Sequence, residues 1–142
     1  MSYERGRLMP LFRGATSKII LAHLPARTLK PLFEQNTGEI AKGEFGRTFE
    51  DFRSALAAMR RDGVAISRGE IDPGRVGVGV PLFDRDRTVL GSLSFALSAS
   101  RASEKLIARL TPLLTEGARA IERAMNDEPA GQVSPARLRV AR

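Results

Sequence analysis

With 142 residues and 42% hydrophobic composition, the chain is long enough for one ordinary domain with a core and too short for several. The absence of cysteine excludes a disulfide framework and thiolate chemistry, and suits a reducing compartment. The formal net charge is +7, but three of those charges are Arg137, Arg139 and Arg142, in a stretch without acids; elsewhere both signs are mixed as on a solvated surface.

No apolar run reaches the roughly 18 residues of a membrane span, and the N-terminus lacks the apolar core of a signal peptide. The chain is therefore expected to be soluble and cytoplasmic. It opens with a polar start, Arg5-Gly-Arg7, and a short Pro-marked segment, Met9-Pro-Leu11, which reads as the end of something rather than the start of a domain. Gly14 to Leu24 predicts a short helix, capped by Thr16 or Ser17, carrying Ile19, Ile20 and Leu24 and stopped by Pro25. Its small residues leave amide N–H groups uncovered beside Arg13. Such a helix start can hold an anion, although an ordinary capped helix satisfies the same residues.

A second helix is expected from Ala26 to about Glu34, brief or bent because of Pro31. Gln35 to Gly46 is polar and reads as a surface loop. Thr48 then caps a clear amphipathic helix with Phe49, Phe52, Leu56 and Met59 on one face, ended by Gly63. That stripe is core. Val64 to Ser67 reads as a short strand, followed by the turn-rich Arg68-Gly-Glu-Ile-Asp-Pro-Gly74.

The most informative stretch comes next. In Gly74 to Phe83, Val76, Val78, Val80 and Leu82 alternate with Gly77, Gly79, Pro81 and Phe83; in Val89 to Leu97, larger residues alternate with Leu90, Ser92, Ser94 and Ala96. Period-2 alternation with one bulky and one bare face predicts two strands, joined by the charged turn Asp84 to Thr88 into an antiparallel hairpin. Gly77, Gly79, Ser92, Ser94 and Ala96 then line one open floor. Glycines on one strand face imply a close approach, either by a packed helix or by a ligand, and the serine hydroxyls favour the ligand. After a Ser/Ala loop, Ser103 caps a last helix to about Met125 that buries Leu106, Leu110, Leu113, Leu114 and Ile121 and bends at Pro112. Residues 128–142, with two prolines and three arginines, read as a flexible basic tail.

Catalytic constellations are scarce. His23 is the only histidine, so no His-based metal cluster can form and a Ser-His-Asp arrangement would rest on a residue among aliphatics. Gly74-x-x-Gly77-x-Gly79 runs in reverse order to a dinucleotide fingerprint, no Gly-Lys-Ser/Thr phosphate loop is present, and the carboxylates are scattered. The residues predict neither an enzyme, a metal site nor a cofactor.

Four segments in order, Met9 to Ala22, Ala58 to Glu70, Gly77 to Asp84 and Leu90 to Ser94, resemble the C-terminal effector-binding domain of IclR-type transcriptional regulators over about residues 5–125. The resemblance implies an α/β (α+β), GAF-like domain over residues 1–127, with a curved antiparallel sheet flanked by helices. It implies a small organic acid or aromatic metabolite as ligand, and dimers or tetramers. Carried over, the family pocket falls on Ala15 and Thr16, with Arg13 and Gly14 adjacent, and on Ser67, Gly77, Ser94 and Ala96; Gly79 and Ser92 join them from the strand pattern. Acidic residues are frequent in the family where Ser67 stands, and bulkier or hydroxyl groups where Gly77 and Ala96 stand, so a roomier and less polar pocket is expected. The family's winged helix-turn-helix, linker helix and first effector-domain helix and strands have no counterpart here. DNA binding is thus expected only through an absent domain, and the sheet is expected to be incomplete on its N-terminal side, its edges open to completion by another chain. A ligand-free interaction module and sequence-independent DNA binding through the arginine tail are the alternatives.

Overall fold

The computed structural model of the protein describes residues 8–127; the polar start and the basic tail expected above lie outside the described residues. The elements run α1 (Ala15–Ala22), α2 (Ala26–Gln35), α3 (Thr37–Ile40), α4 (Phe49–Asp62), β1 (Ala65–Arg68), β2 (Arg75–Phe83), β3 (Val89–Ser98) and α5 (Glu104–Asp127). The strands form one antiparallel sheet in the order β1-β2-β3. This is the expected α+β class, and the hairpin register places Gly77 opposite Ala96, Gly79 opposite Ser94 and Pro81 opposite Ser92. The small residues of both strands therefore share one face.

The two unlike faces separate two cores. On the bulky face Val76, Val78 and Val80 are buried against Ile107, Leu114 and Ala118 of α5. On the bare face lies α1, which also packs against α4. Beyond α1, Phe12, Leu21, Leu29, Phe33, Ile40, Phe45, Phe52 and Leu56 close a second core. Phe52 is its hub, with ring centroids 5.3 Å from Phe45, 5.6 Å from Phe33 and 6.4 Å from both Phe12 and Phe49. At such separations aromatic pairs add stabilisation beyond area burial.

The second helix, Ala26–Gln35, ends within one residue of its expected bound. Three local expectations are corrected. The segment 35–46 is not a plain surface loop: it contains α3 and sends Ile40 and Phe45, both essentially fully buried, into the second core. On α5 the buried stripe is Ile107, Leu114 and Ala118, while Leu113 is 62% exposed and Ile121 lies at the surface. The apolar arc of this helix is wider than the strip of sheet it covers, so residues at its margin stay outside. Finally, neither Thr16 nor Ser17 caps α1; Gly14 takes the N-cap position with no side-chain cap.

The two edges of the sheet differ. β1 is four residues long and pairs only with Val76 to Gly79. Past Gly79, β2 has no neighbour on that side among the described residues. There Pro81 has no N–H to leave unpaired, and the Phe83 N–H donates to Glu122 Oε1 of α5 at 2.8 Å. β3 forms the other edge along its ten residues.

Helix α4 shows how the local code is written. Thr48 Oγ1 accepts from the Asp51 N–H at 3.1 Å while Asp51 Oδ2 accepts from the Thr48 N–H at 3.1 Å, a reciprocal capping box. Thr48→Ala is expected to cost about 1 kcal/mol in chemical denaturation. The same hydrogen bonds from Thr48 hold the Asp51 carboxyl below its usual value. A depressed folded-state pKa stabilises above the unfolded value of about 3.9, and that contribution is lost as pH falls through the folded value. Asp51→Asn should therefore flatten the acid limb of the stability profile below about pH 4 and leave its neutral-to-alkaline shape unchanged.

Candidate functional site

The close seat of α1 on the bare sheet face defines the site. A Cβ at Gly79 would stand 3.0 Å from the Ala15 carbonyl oxygen and 3.3 Å from the Thr16 nitrogen, so only glycine lets the first turn of α1 settle on the strand at this distance. Gly14 turns the chain into the helix with φ of 85°, and a Cβ there would press on Ile71 at 3.0 Å. The helix start is thereby held between the strand and the loop 69–74.

Beside this seat lies a cleft lined by Gly14, Ala15 and Thr16 of the α1 start, Ser67 at the end of β1, and Gly77, Ser94 and Ala96 of the hairpin. Glu70, Ile71, Asp72, Arg75 and Phe95 complete its wall. Seven of the ten residues nominated from the sequence thus meet in one place. Three do not. Gly79 is covered by the α1 backbone. Ser92 shares the face but stands opposite Pro81, further toward the hairpin tip. Arg13 lines a separate depression with Leu8, Met9 and Pro10. Both glycines serve close packing, since a Cβ at Gly77 would stand 2.9 Å from Ser67 Oγ and 3.4 Å from Ala15 Cβ, but only Gly77 also lines the cleft.

The cleft is narrow and partly polar. It offers about 30 Å³ of space, somewhat more than the roughly 10–15 Å³ that one water needs, and carries two carboxylates and a guanidinium. The residues missing from the sequence reading supply that polarity, and they are organised by Lys18. Its side chain is 1% exposed, yet its ammonium donates to Ile66 O of β1 at 2.9 Å, to Glu44 Oε2 at 3.0 Å and to Glu70 Oε1. Three donors meet three acceptors. Glu70 uses its other oxygen, Oε2, to accept the Gly14 N–H at 2.7 Å. A carboxylate from the loop thus occupies the positive end of α1, where an open anion site was expected and where a local Thr or Ser cap was expected too. A signal for Lys18 was present: Ala15, Lys18, Ile19 and Ala22 follow helical i, i+3, i+4, i+7 spacing, so the lysine lies on the buried stripe. Its partners, 26 and 52 residues away, carry no comparable signal. Among the described residues no group of three or more His, Cys, Asp or Glu is arranged to hold a metal.

Removing one member of a buried pair leaves an uncompensated charge, so Lys18→Met is expected to destabilise the fold by about 3–5 kcal/mol. The double substitution Lys18→Met with Glu70→Met should recover much of that loss. A double-mutant cycle by urea denaturation checks both, and simple additivity of the two single costs would contradict the coupling.

Comparison with known proteins agrees with this architecture. The family model described as bacterial transcriptional regulator IclR C-terminal matches residues 1–123. The chain is 29% identical over 119 residues to the HTH-type transcriptional regulator KipR of Bacillus subtilis, covering 83% of this chain and 47% of that protein. It is 28% identical over 126 residues to the HTH-type transcriptional regulator XynR of Escherichia coli, covering 88% and 50%. The chain spans about half the length of these curated relatives. The crystal structure of Thermotoga maritima IclR superposes with a TM-score of 0.77 at 26% identity, over 88% of this chain and 51% of that one. An antiparallel sheet faced by helices, a cleft at the first helix and a family match over most of its length lead to one conclusion: the chain belongs to the IclR C-terminal family of bacterial transcriptional regulators.

Proposed function

We propose that the chain is an effector-sensing domain: it binds a small organic acid or the carboxylate of an aromatic metabolite in the cleft at the α1 start, and the bound state biases DNA binding by a winged helix-turn-helix elsewhere in the regulator. The observation that carries this reading is the convergence of helix start, hydroxyls and cation on one small-residue floor. Thr16, Ser67 and Ser94 supply hydroxyls, Arg75 supplies a positive charge, and the α1 start supplies backbone donors. The site is a binder rather than an enzyme, and it works in the cytoplasm as part of a homo-oligomer; among the described residues no helix is long and apolar enough to cross a membrane.

The limited volume gives the mechanism its shape. Anything larger than a few atoms enters only as the loop 69–74 moves, because Glu70, Ile71 and Asp72 form that side of the cleft. Glu70 is bonded to both Gly14 and Lys18, so a ligand carboxylate that takes the Gly14 N–H competes with Glu70. Ligand binding then redistributes two arrangements of loop and helix, and the free energy available to the DNA-binding part is the ligand's preference for one of them.

A second reading rests on Gly79. Its glycine is explained by helix packing alone, which suits a ligand-free module acting through assembly with other regulator chains. Thermal shift with a panel of short carboxylic and aromatic acids separates the two. A binder at about 100 times its dissociation constant should stabilise the domain by about 2.7 kcal/mol. Ala96→Leu, on the exposed part of the floor, is expected to keep the fold and abolish the response. No response from the parent to any acid, with assembly intact, favours the module.

A further inference from the structure

A second cleft lies at the opposite end of α1, between the α1 C-terminus, the α2 N-terminus, α4 and the hairpin tip. At about 500 Å³ it is far roomier than the first. His23, Lys30, Arg53, Arg60 and Arg87 bring positive or protonatable groups to it; Arg53 is paired with Glu50 at 3.2 Å, and no carboxylate is among the lining residues. Helix α2 adds to the field: it begins here at Ala26 after Pro25, with no side-chain cap and no acidic residue in its first turn. Its free amide end presents partial positive charge.

Several of these groups are held in place while keeping donors to spare. Arg60 spends one N–H on the Ala22 carbonyl, at 2.9 Å, out of the five that a guanidinium carries. His23 gives its Nδ1 proton to Ile19 O at 2.9 Å, since a carbonyl only accepts, and this bond leaves Nε2 unengaged. The ring is steadied by Phe83, edge to face at 5.0 Å. Lys30 forms no ion pair among the described residues.

Arg87 is the most telling member. Among the described residues it is the only non-glycine with positive φ, 63°, in a turn where Gly or Asn would be cheaper. This conformation accompanies a guanidinium 4.1 Å above the Phe83 ring. A cation stacked by its face keeps its edge N–H groups available for a planar or tetrahedral anion. Backbone cost retained at the rim of a positively charged cleft points toward a ligand.

We propose that this second cleft binds an organic phosphate, the phosphate among Lys30, Arg60, Arg87 and the α2 start, with the organic body against Phe83 and Phe49. A phosphate monoester carries nearly two charges and three acceptor oxygens, which suits Lys30, Arg60 and Arg87 converging where no carboxylate lines the cleft. The aromatic walls suit a ring-bearing body more than a free ion. The proposal does not rest on the acid-sensing reading of the first cleft.

Isothermal titration of the full chain with inorganic phosphate and with a nucleoside 5′-monophosphate tests it. Binding of the monophosphate, weaker binding of inorganic phosphate and a fall in both with added salt are expected. Arg87→Gly relieves the positive φ, so the melting temperature should hold or rise while affinity drops about tenfold or more. Lys30→Ala, on an exposed helix face, should weaken binding with the fold intact. Ala96→Leu should leave phosphate affinity unchanged, which keeps the two clefts distinguishable. Equal affinity in parent and Arg87→Gly, no binding of either phosphate, or binding of duplex DNA without binding of either phosphate each overturns the proposal.

Discussion

One buried ammonium holds the cleft end of the molecule together. Lys18 reaches from the inner face of α1 to the β1 carbonyl of Ile66, to Glu44 ahead of α4 and to Glu70 in the loop before β2. Those four segments are distant in sequence, and few apolar contacts are available where a polar loop crosses a helix start. A charge placed in so little water demands full pairing, and three acceptors provide it. The arrangement is specific more than strong: it states where the loop must lie, because any other position strands the ammonium. Glu70 extends the constraint to the Gly14 N–H, so the first turn of α1 is aligned by the same network that aligns the loop.

Around that point the sheet works as a partition. Its valine face is covered by α5, while its bare face carries α1 at near backbone contact over Gly79 and leaves Gly77, Ser94 and Ala96 beside the helix start. The seat of α1 and the floor of the cleft thus share one strand at a spacing of two residues. The helix can sit low enough to present its amides to a cleft only because the neighbouring position on the same face has no side chain.

What could be read from the residues follows from how local each signal is. The hairpin, its turn and its shared small-residue face were legible because period-2 alternation between unlike faces assigns each residue to a side. Helix α4 was legible because its caps and its apolar stripe are all written within sixteen consecutive positions, 48–63. The anchoring of Ile40 and Phe45 was not, since a short polar segment gains its burial from an aromatic cluster assembled by distant helices. In the site, glycines, serines and the helix start were visible as types, whereas Glu70 looked like one acid among many in a turn. Its role exists only once Lys18 and Gly14 are brought to it. Ser92 and Gly79 were misplaced for a related reason: alternation assigns a face and says nothing of how far along it a helix will lie.

The unequal edges of the sheet limit how chains can associate. On one side β1 is short and its Ile66 carbonyl is engaged by Lys18, while β2 beyond it presents a proline and an amide already bonded to Glu122. On the other side no described strand pairs with β3. Growth by strand addition is therefore one-sided. Among the described strands, two chains joined through β3 would leave only the short, partly engaged β1 side for a third, which favours a closed pair over a fibre.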